Sequence, residues 1–291
     1  EMEESDWSSD VCSSDLTIGF LCLVIPNMIM EQHGNPAIAQ MGVDMSSGAM
    51  EGKEVRFGTP ASAYWSILTT VISTGSVNSF HDSFMPLSGM NQMLAMMVNG
   101  FYGGVGVGML NFFIFIIIAV FISGLMVGRT PEFFGKKVEA REVKIAVIVT
   151  LMSAILIKGG TAVAAYLISA DPSLPWLNNP GFHGFSEMLY EFTSANANNG
   201  SGFEGLGDNN PFWNISTGIV LILGRFIPII GPIAIAGILA GKKYIPESAG
   251  TLKTDTLTFG VMIFAVIFIV TALSYFPALA LGPIAEFFSM H

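Results

Sequence analysis

Long apolar segments alternate with shorter polar runs along most of this chain. A helix needs about 20 apolar residues to cross the hydrocarbon core of a bilayer. Segments of this kind cover residues 17–30, 91–127, 143–168, 212–240 and 257–281. The pattern predicts an all-α integral membrane protein, in which the first segment is the end of a helix and the last is a terminal transmembrane helix.

Two polar runs share one layout, Thr69–Phe80 and Thr193–Phe203. Each follows a short apolar or amphiphilic segment and precedes a long apolar one, and their central residues Gly75 and Gly200 lie 125 positions apart. The layout predicts a helix, a short re-entrant helix, a glycine-centred loop and a second helix, occurring twice. Such a long repeat is typical of duplicated membrane modules.

These two polar runs are candidates for a cation path. Irregular backbone inside a membrane is tolerated only where protein or water surrounds it, and carbonyl oxygens there can replace the hydration shell of an ion. We predict short pore helices at about 60–72 and 184–195, whose carboxyl ends would direct negative partial charge at the ion. The filter loops would be 73–76 and 196–201. A polar turn at the membrane interface is the alternative for either loop. The candidate cation-binding residues are Ser73, Thr74, Gly75, Ser76, Asn198, Asn199, Gly200 and Ser201.

The apolar segment 91–127 is too long for one simple crossing. Glycines interrupt it at positions 100, 103, 104, 106 and 108. We interpret it as a broken helix, because glycine permits backbone excursions that a continuous apolar helix would not make. A glycine-rich face for helix packing is the alternative.

Charge supports the membrane class and indicates a topology. Charged residues make up 12% of the chain, against about 25% in soluble domains. Basic residues cluster in 129–144 and 242–253, which we therefore expect on the cytoplasmic side, with 31–58 and 169–183 outside. We expect no nucleic-acid partner, since no basic surface is indicated, and the two cysteines indicate no disulfide framework.

The stretch Trp7–Leu16 matches the translation of a common sequencing adapter, and it changes abruptly to membrane sequence at Thr17. We interpret residues 1–16 as an artefact, with the N-terminal part of the protein missing. A genuine polar tail is the alternative.

Two cations stand out inside apolar segments. Arg225 lies in the middle of 212–240, where inserting a guanidinium costs about 2.5 to 3.5 kcal/mol, so a functional role is favoured over a structural one. Lys158 lies within 143–168, and its ammonium either reaches the interface or faces the protein interior.

Several motifs together resemble the KdpA family, the potassium-binding subunits of the Kdp potassium-transporting P-type ATPase. The similarity runs from about Thr17 to the end of the chain. It is carried by Ser194–Phe203, Asn178–Glu187, Phe80–Phe84, Gly124–Glu132 and Pro277–Pro283.

The resemblance implies a fold of four repeats, each with a helix, a pore helix, a filter loop and a helix. This chain would carry the third repeat at 17–128 and the fourth at 143–241, with a cytoplasmic loop at 129–142 between them. Thr74 stands where the family often has cysteine.

The resemblance also implies roles for residues around the filter. The glycine break, with Gly103, Gly104 and Gly106, would block simple flow into the cytoplasm, so that ions leave sideways into the ATPase subunit. Arg225 and Arg129 would act in coupling or gating. For Arg129, a simple membrane-anchoring charge is the alternative.

The implied function is binding and translocation of potassium as the ion-selecting subunit of an ATP-driven, high-affinity uptake complex. The expected partners are the catalytic subunit KdpB, KdpC, KdpF and membrane lipid, in the bacterial cytoplasmic (inner) membrane. Potassium would be the transported substrate, with no organic cofactor.

We expect no ATP site in this chain, because it lacks an Asp-Lys-Thr-Gly motif and a phosphate-binding loop. The alternative is a self-sufficient potassium channel or symporter of the same superfamily. A membrane enzyme using His81 and Asp82 is a third possibility.

Overall fold

The computed structural model describes residues 3–100, 102, 107–128, 131–245 and 256–290, apart from the side chains of 3–15 and 127. Ten α-helices account for most of these residues. They are α1 Glu3–His33, α2 Pro36–Gln40, α3 Gly58–Val71, α4 Pro86–Val98, α5 Val107–Val127, α6 Ala140–Ala170, α7 Phe182–Ala197, α8 Pro211–Ala240, α9 Leu257–Leu279 and α10 Ala285–Ser289. A 3-10 turn at His81–Ser83 and a π-helical turn at Ala280–Ile284 complete the helical part, and a two-stranded hairpin joins β1 Glu132–Phe133 to β2 Lys136–Lys137.

Within the described residues, five stretches are long and apolar enough to cross a membrane, judged by length and composition. They are Leu16–Gln40, Val107–Met126, Ala140–Ala170, Pro211–Ala240 and Leu257–Ser289. The prediction of an all-α integral membrane fold is therefore confirmed.

The helices form two units of the same design. In the first, the short helix α3 packs between α1 and α4, and in the second, the short helix α7 packs between α6 and α8. Helix α9 contacts α1, α4, α5 and α6 and so ties the two units together. In both units the short helix ends in one of the polar loops.

Local capping explains where two of the long helices begin. Glu139 and Glu142 form a capping box, in which the Glu139 backbone N–H donates to Glu142 Oε2 at 2.8 Å, so α6 begins at Ala140 and not at 143. The Asn210 side chain accepts from the backbone N–H of Phe212 and Trp213, which starts α8 one residue before 212.

Other boundaries also differ from the sequence-based ones. Asn198 adopts a left-handed conformation and ends α7, so residues 196 and 197, which we assigned to the filter loop, belong to the helix. The terminal helical stretch extends beyond 281 to Ser289, through the π-helical turn.

The long apolar segment 91–127 is divided between α4 and α5. Helix α4 begins earlier than predicted, at Pro86, and Asn99 ends it with φ of 41°. Helix α5 begins at Val107. Gly103, Gly104, Gly106 and Arg129, to which we assigned coupling or gating roles, lie outside the described residues.

The two basic regions meet at one end of the bundle. Lys242, after α8, forms ion pairs with Glu142 Oε1 at 2.8 Å and with Glu139 Oε2 at 3.0 Å at the start of α6. The Ile245 backbone N–H donates to the Gly135 carbonyl of the hairpin at 2.8 Å. The contacts place the described parts of both basic regions on the same side, as the charge pattern requires.

We predict that this end is cytoplasmic and that the loop 31–58 is external. In the full-length protein, with its native cysteines replaced by serine, Ser47→Cys should react with a membrane-impermeant maleimide in intact cells. Lys137→Cys should react only after permeabilisation, since both positions are exposed but on opposite sides. The reverse labelling pattern would contradict the topology.

Candidate ion-binding site

The two polar loops follow the same backbone course. Ser73 and Gly75 have φ of 52° and 69°, and Asn198 and Gly200 have φ of 54° and 100°. Positive φ is uncommon for residues with a Cβ, and asparagine tolerates it better than most. The corresponding residues are 125 positions apart in both pairs. The repeat seen in the sequence therefore extends to the backbone turns of the loops.

The two loops meet at Gly75. A Cβ atom at Gly75 would overlap the Asn199 carbonyl oxygen and would lie 3.0 Å from Asn199 C and 3.1 Å from Gly200 C. A hydrogen bond from Asn199 Nδ2 to the Thr69 carbonyl, 2.7 Å long and buried, joins the same two segments. Residues from both units therefore form one site.

A buried chain of hydrogen bonds braces the second loop. Asn199 Oδ1 accepts from Ser201 N at 2.9 Å and from Ser201 Oγ at 2.6 Å, and Ser201 Oγ lies 2.8 Å from the Tyr190 hydroxyl. The hydroxyl lies 3.1 Å from Nδ1 of His81, which comes from the first unit. Burial, and secondarily the charge of Lys53, lowers the pKa of His81 to about 4, so this imidazole is neutral at physiological pH.

The first loop is held by the short helix α3 that precedes it and by α4. Thr74 N donates to the Thr69 carbonyl at 3.2 Å, and the hydroxyls of these two threonines lie 3.0 Å apart. Ser73 Oγ donates to Asn99 Oδ1 at 3.3 Å. Trp65 Nε1 donates to the Ser76 carbonyl at 2.8 Å. The loop is thus tied directly to the residue that ends α4.

Sequence reasoning missed Asn99. Its carbonyl also accepts from Asn111 Nδ2 at 3.0 Å, so it links the first loop to α5 as well as to α4. The available signal was its position before Gly100, because an Asn-Gly pair is a frequent turn sequence.

Helix α8 passes very close to the end of the short helix α7. A Cβ atom at Gly224 would lie 2.9 Å from Asn196 Cα, and Asn198 Nδ2 donates to the Leu221 carbonyl at 3.2 Å.

Arg225, next in the chain after Gly224, is therefore at the level of the last turn of α7. It is half-buried, and it has no hydrogen-bond or ion-pair partner among the residues that the structure describes. Lys158, by contrast, is exposed on the surface of α6.

A cavity of about 590 Å³ opens onto both loops. Three acidic residues that sequence reasoning missed line it: Glu191, Glu204 and Asp208. Burial, together with the nearby Asp208, raises the pKa of Glu191 to about 7, and Glu191 lies on α7, outside the five spanning segments. Burial also raises the pKa of Glu204.

The cavity offers carbonyl, hydroxyl and carboxylate oxygens, which suit a cation. Its other lining residues are Gly75, Val77, Ser194, Ala195, Asn198, Asn199, Gly200, Ser201, Gly202, Phe203, Leu206, Thr217 and Leu221.

The structure does not pair His81 with Asp82 as an enzyme would require. His81 faces Tyr190, whereas the Asp82 carboxylate contacts His183 and Asn179.

Comparison with known proteins identifies the family. Residues 7–288 match KdpA, described as "Potassium-transporting ATPase A subunit", and the chain belongs to this family. A potassium-transporting ATPase potassium-binding subunit of Flavobacterium johnsoniae is 69% identical over 284 residues, which cover 94% of this chain and 50% of the relative. Proteins of the same name from Phocaeicola vulgatus and Geobacillus kaustophilus are 65% and 50% identical, covering 94% and 89% of this chain and 49% and 46% of the relatives. The chain thus spans about half the length of the curated relatives it matches.

We predict that charged Glu191 attracts cations into the cavity. Its carboxylate is ionised above a pKa of about 7, so in the full-length protein the affinity for potassium should fall as the pH is lowered from 8 to 6. Glu191→Gln should lower the affinity at pH 8 roughly threefold to tenfold, about 0.7 to 1.4 kcal/mol, and should flatten this pH dependence.

Potassium-dependent ATPase activity or isothermal calorimetry at several pH values measures the effect. Asp171→Asn, which neutralises an exposed acid outside the cavity, is the matched control. Equal affinities for Glu191→Gln and the original protein at pH 8 would disprove the attraction.

Proposed function

We propose that this chain selects potassium ions for an ATP-driven, high-affinity uptake complex in the bacterial cytoplasmic membrane. In this proposal the loops 73–76 and 198–201 bind the ion, and KdpB, KdpC and KdpF are the partner subunits. The observation that carries the proposal is the meeting of two loops with the same backbone course at Gly75 and Asn199. The names of the relatives supply the ion and the association with an ATPase.

The chemistry of the loops supports a monovalent cation as the substrate. Their backbone oxygens, with the side chains of Thr74 and Ser76, are neutral ligands that can replace water around an ion without binding it too tightly to leave. Both pore helices end at the loops, and the carboxyl end of a helix carries about half a negative charge. A dehydrated cation there would gain attraction without a fixed carboxylate in direct contact.

Arg225 supports a role in directing the ion after it has left the filter. A guanidinium at about 8 Å from the ion, with an effective dielectric constant near 20, repels it by about 2 kcal/mol. That repulsion discourages an ion from staying below the filter but does not prevent binding at the filter itself. We propose that Arg225 couples passage to the ATPase, with Arg129 and the glycines Gly103, Gly104 and Gly106 taking part in gating.

We predict that a single methyl group at the meeting point of the loops damages selectivity. Gly75→Ala would place Cβ against the Asn199 carbonyl and would force a left-handed conformation on alanine, which costs about 1 to 2 kcal/mol. In the full-length protein within its complex, the affinity for potassium or its discrimination from sodium should fall roughly tenfold or more. ATPase activity titrated with each ion measures both quantities.

Gly159→Ala is the matched control, because the added Cβ of this helical glycine would meet nothing within 4 Å beyond its chain neighbours and its own helix backbone. Unchanged affinity and discrimination in Gly75→Ala would overturn the filter assignment. Uptake that continues without the ATPase subunit would instead identify a self-sufficient channel or symporter.

We predict that Arg225→Met, similar in length but neutral, alters coupling. The complex in liposomes should hydrolyse ATP without matched potassium uptake, or should leak potassium without ATP, while filter selectivity survives. Flux and ATP turnover measured together give the ratio of ions moved to ATP hydrolysed.

Arg141→Met, at an exposed position in the first turn of α6, is the control. A structural arginine predicts lower yield and stability with normal coupling. An unchanged ratio in Arg225→Met would therefore disprove the coupling role.

A further inference from the structure

A second polar cluster borders the two polar runs, because Asp82 closely follows the first run and His183 stacks on Phe203 of the second. It lies at the end of the bundle opposite the basic regions. Asp82 comes from the 3-10 turn, His183 and Glu187 from the first turns of α7, and Glu286 from α10. Asp82, His183 and Glu187 each offer one ligand atom, and these three atoms all lie within 4.8 Å of one another. Asp82 and Glu187 are buried, and His183 is half-buried.

We propose that Asp82, His183 and Glu187 bind a divalent transition-metal cation, such as Zn²⁺ or Mn²⁺. Two carboxylates and one imidazole are a ligand set that these ions accept, with distances of about 2.0 to 2.2 Å to each ligand atom. Ligands on opposite sides of one ion are then about 4 Å apart, so a small adjustment would bring these atoms to bonding distance.

The first supporting observation is the Glu187 carboxylate. Its Oε1 accepts from Asn179 N at 3.3 Å and from Asn179 Nδ2 at 3.2 Å. Its Oε2 is fully buried and has no hydrogen-bond partner in the part of the chain that the structure describes. A buried carboxylate oxygen without a partner is costly, and a bound cation removes that cost.

The second observation is the environment of His183. Its Nδ1 lies 2.8 Å from Glu286 Oε1, and its Nε2 lies 3.0 Å from Asp82 Oδ1. A carboxylate on one ring nitrogen fixes the tautomer and the ring orientation, which directs the other nitrogen to a metal. Glu286 would be this orienting group.

The third observation is the balance of charge around the cluster. Four carboxylates face it, those of Asp82, Glu187, Glu204 and Glu286, and Glu204 Oε2 accepts from the Asp82 backbone N–H at 3.3 Å. The one titratable nitrogen that contacts them among the described residues is the His183 imidazole. Asp82 and Glu187 are buried side by side, and a divalent cation bound between them would offset the repulsion of their carboxylates.

The surrounding backbone leaves room for the carboxylates. A Cβ atom at Gly205 would lie 2.6 Å from both Asp82 Oδ2 and Glu187 Oε1, so only glycine fits there. Asn179 Nδ2 donates to the same two oxygens, at 3.3 Å and 3.2 Å. With the amide rotated by half a turn, Asn179 Oδ1 would take this place and become a fourth oxygen ligand.

The site would join parts of the chain that are far apart in sequence. A metal there would hold the turn that follows the first loop, the start of pore helix α7 and the end of the chain at α10. His183 also stacks on Phe203 with ring centroids 5.7 Å apart, and Phe203 stacks on Tyr190 at 4.3 Å. Loss of the metal should therefore lower the thermal stability of the protein. Potassium binding is measured separately from this effect.

Metal content and binding in the full-length protein within its complex test the proposal. After purification and removal of loosely bound metal, mass spectrometry should find close to one Zn²⁺ or Mn²⁺ per chain. The metal-depleted protein should bind added Mn²⁺ saturably, with a paramagnetic resonance signal that shows coupling to an imidazole nitrogen. Glu187→Gln and His183→Gln should each weaken Mn²⁺ binding at least tenfold, and metal addition should raise the thermal midpoint of the original protein but not of the variants.

His33→Gln and Glu51→Gln, at exposed positions on the same side, are the matched controls and should bind as the original protein does. If a variant fails to assemble, Asp82→Asn and the titration of the unsubstituted protein decide the question. No saturable Mn²⁺ or Zn²⁺ binding by the unsubstituted protein would overturn the proposal. Equal binding by all variants, showing an adventitious ion only, would also overturn it, and neither result affects the assignment of the potassium filter.

Discussion

The close approach of Gly75 to the Asn199 carbonyl is the constraint on which this structure depends. No side chain fits between the two loops at this point. The positions of the two loops relative to each other are therefore closely constrained. The buried hydrogen bond from Asn199 to the Thr69 carbonyl and the chain from Asn199 through Ser201 to Tyr190 hold that arrangement. The long helices support the loops from outside, and the close passage of α8 at Gly224 fixes the end of α7.

Along the ion path that we propose, the charge of the lining groups changes in sign. Carboxylates line the cavity that opens onto the loops, neutral oxygens form the loops, and the guanidinium of Arg225 lies at the level where α7 ends. In the proposed function the acids would concentrate cations, the neutral oxygens would hold one with moderate strength, and the guanidinium would limit how far it advances. The relative positions of the acids, the loops and Arg225 are set by the packing of α7 against α8 and not by any single residue.

The sequence predicted those features that local patterns encode. Apolar length predicted the membrane helices, and the matching glycines at 75 and 200 predicted two loops of the same design. Helix ends were harder to predict, because the capping by Glu139 and Glu142 and the left-handed turn at Asn198 act over a few residues and are not visible in hydropathy. Asn99 and the cluster of Asp82, His183 and Glu286 depend on contacts between distant segments. A single sequence gives no signal for such contacts.

The two loops share a backbone course but not their side chains, since Ser73 and Thr74 correspond to Asn198 and Asn199. In a symmetric oligomer every substitution is copied into each subunit, so all walls of a central path change together. A path assembled from repeats within one polypeptide is free of that rule. Mutation could reshape one wall of the proposed path while the others stay as they were, and a directional exit could evolve without loss of the oxygens that we propose to bind the ion.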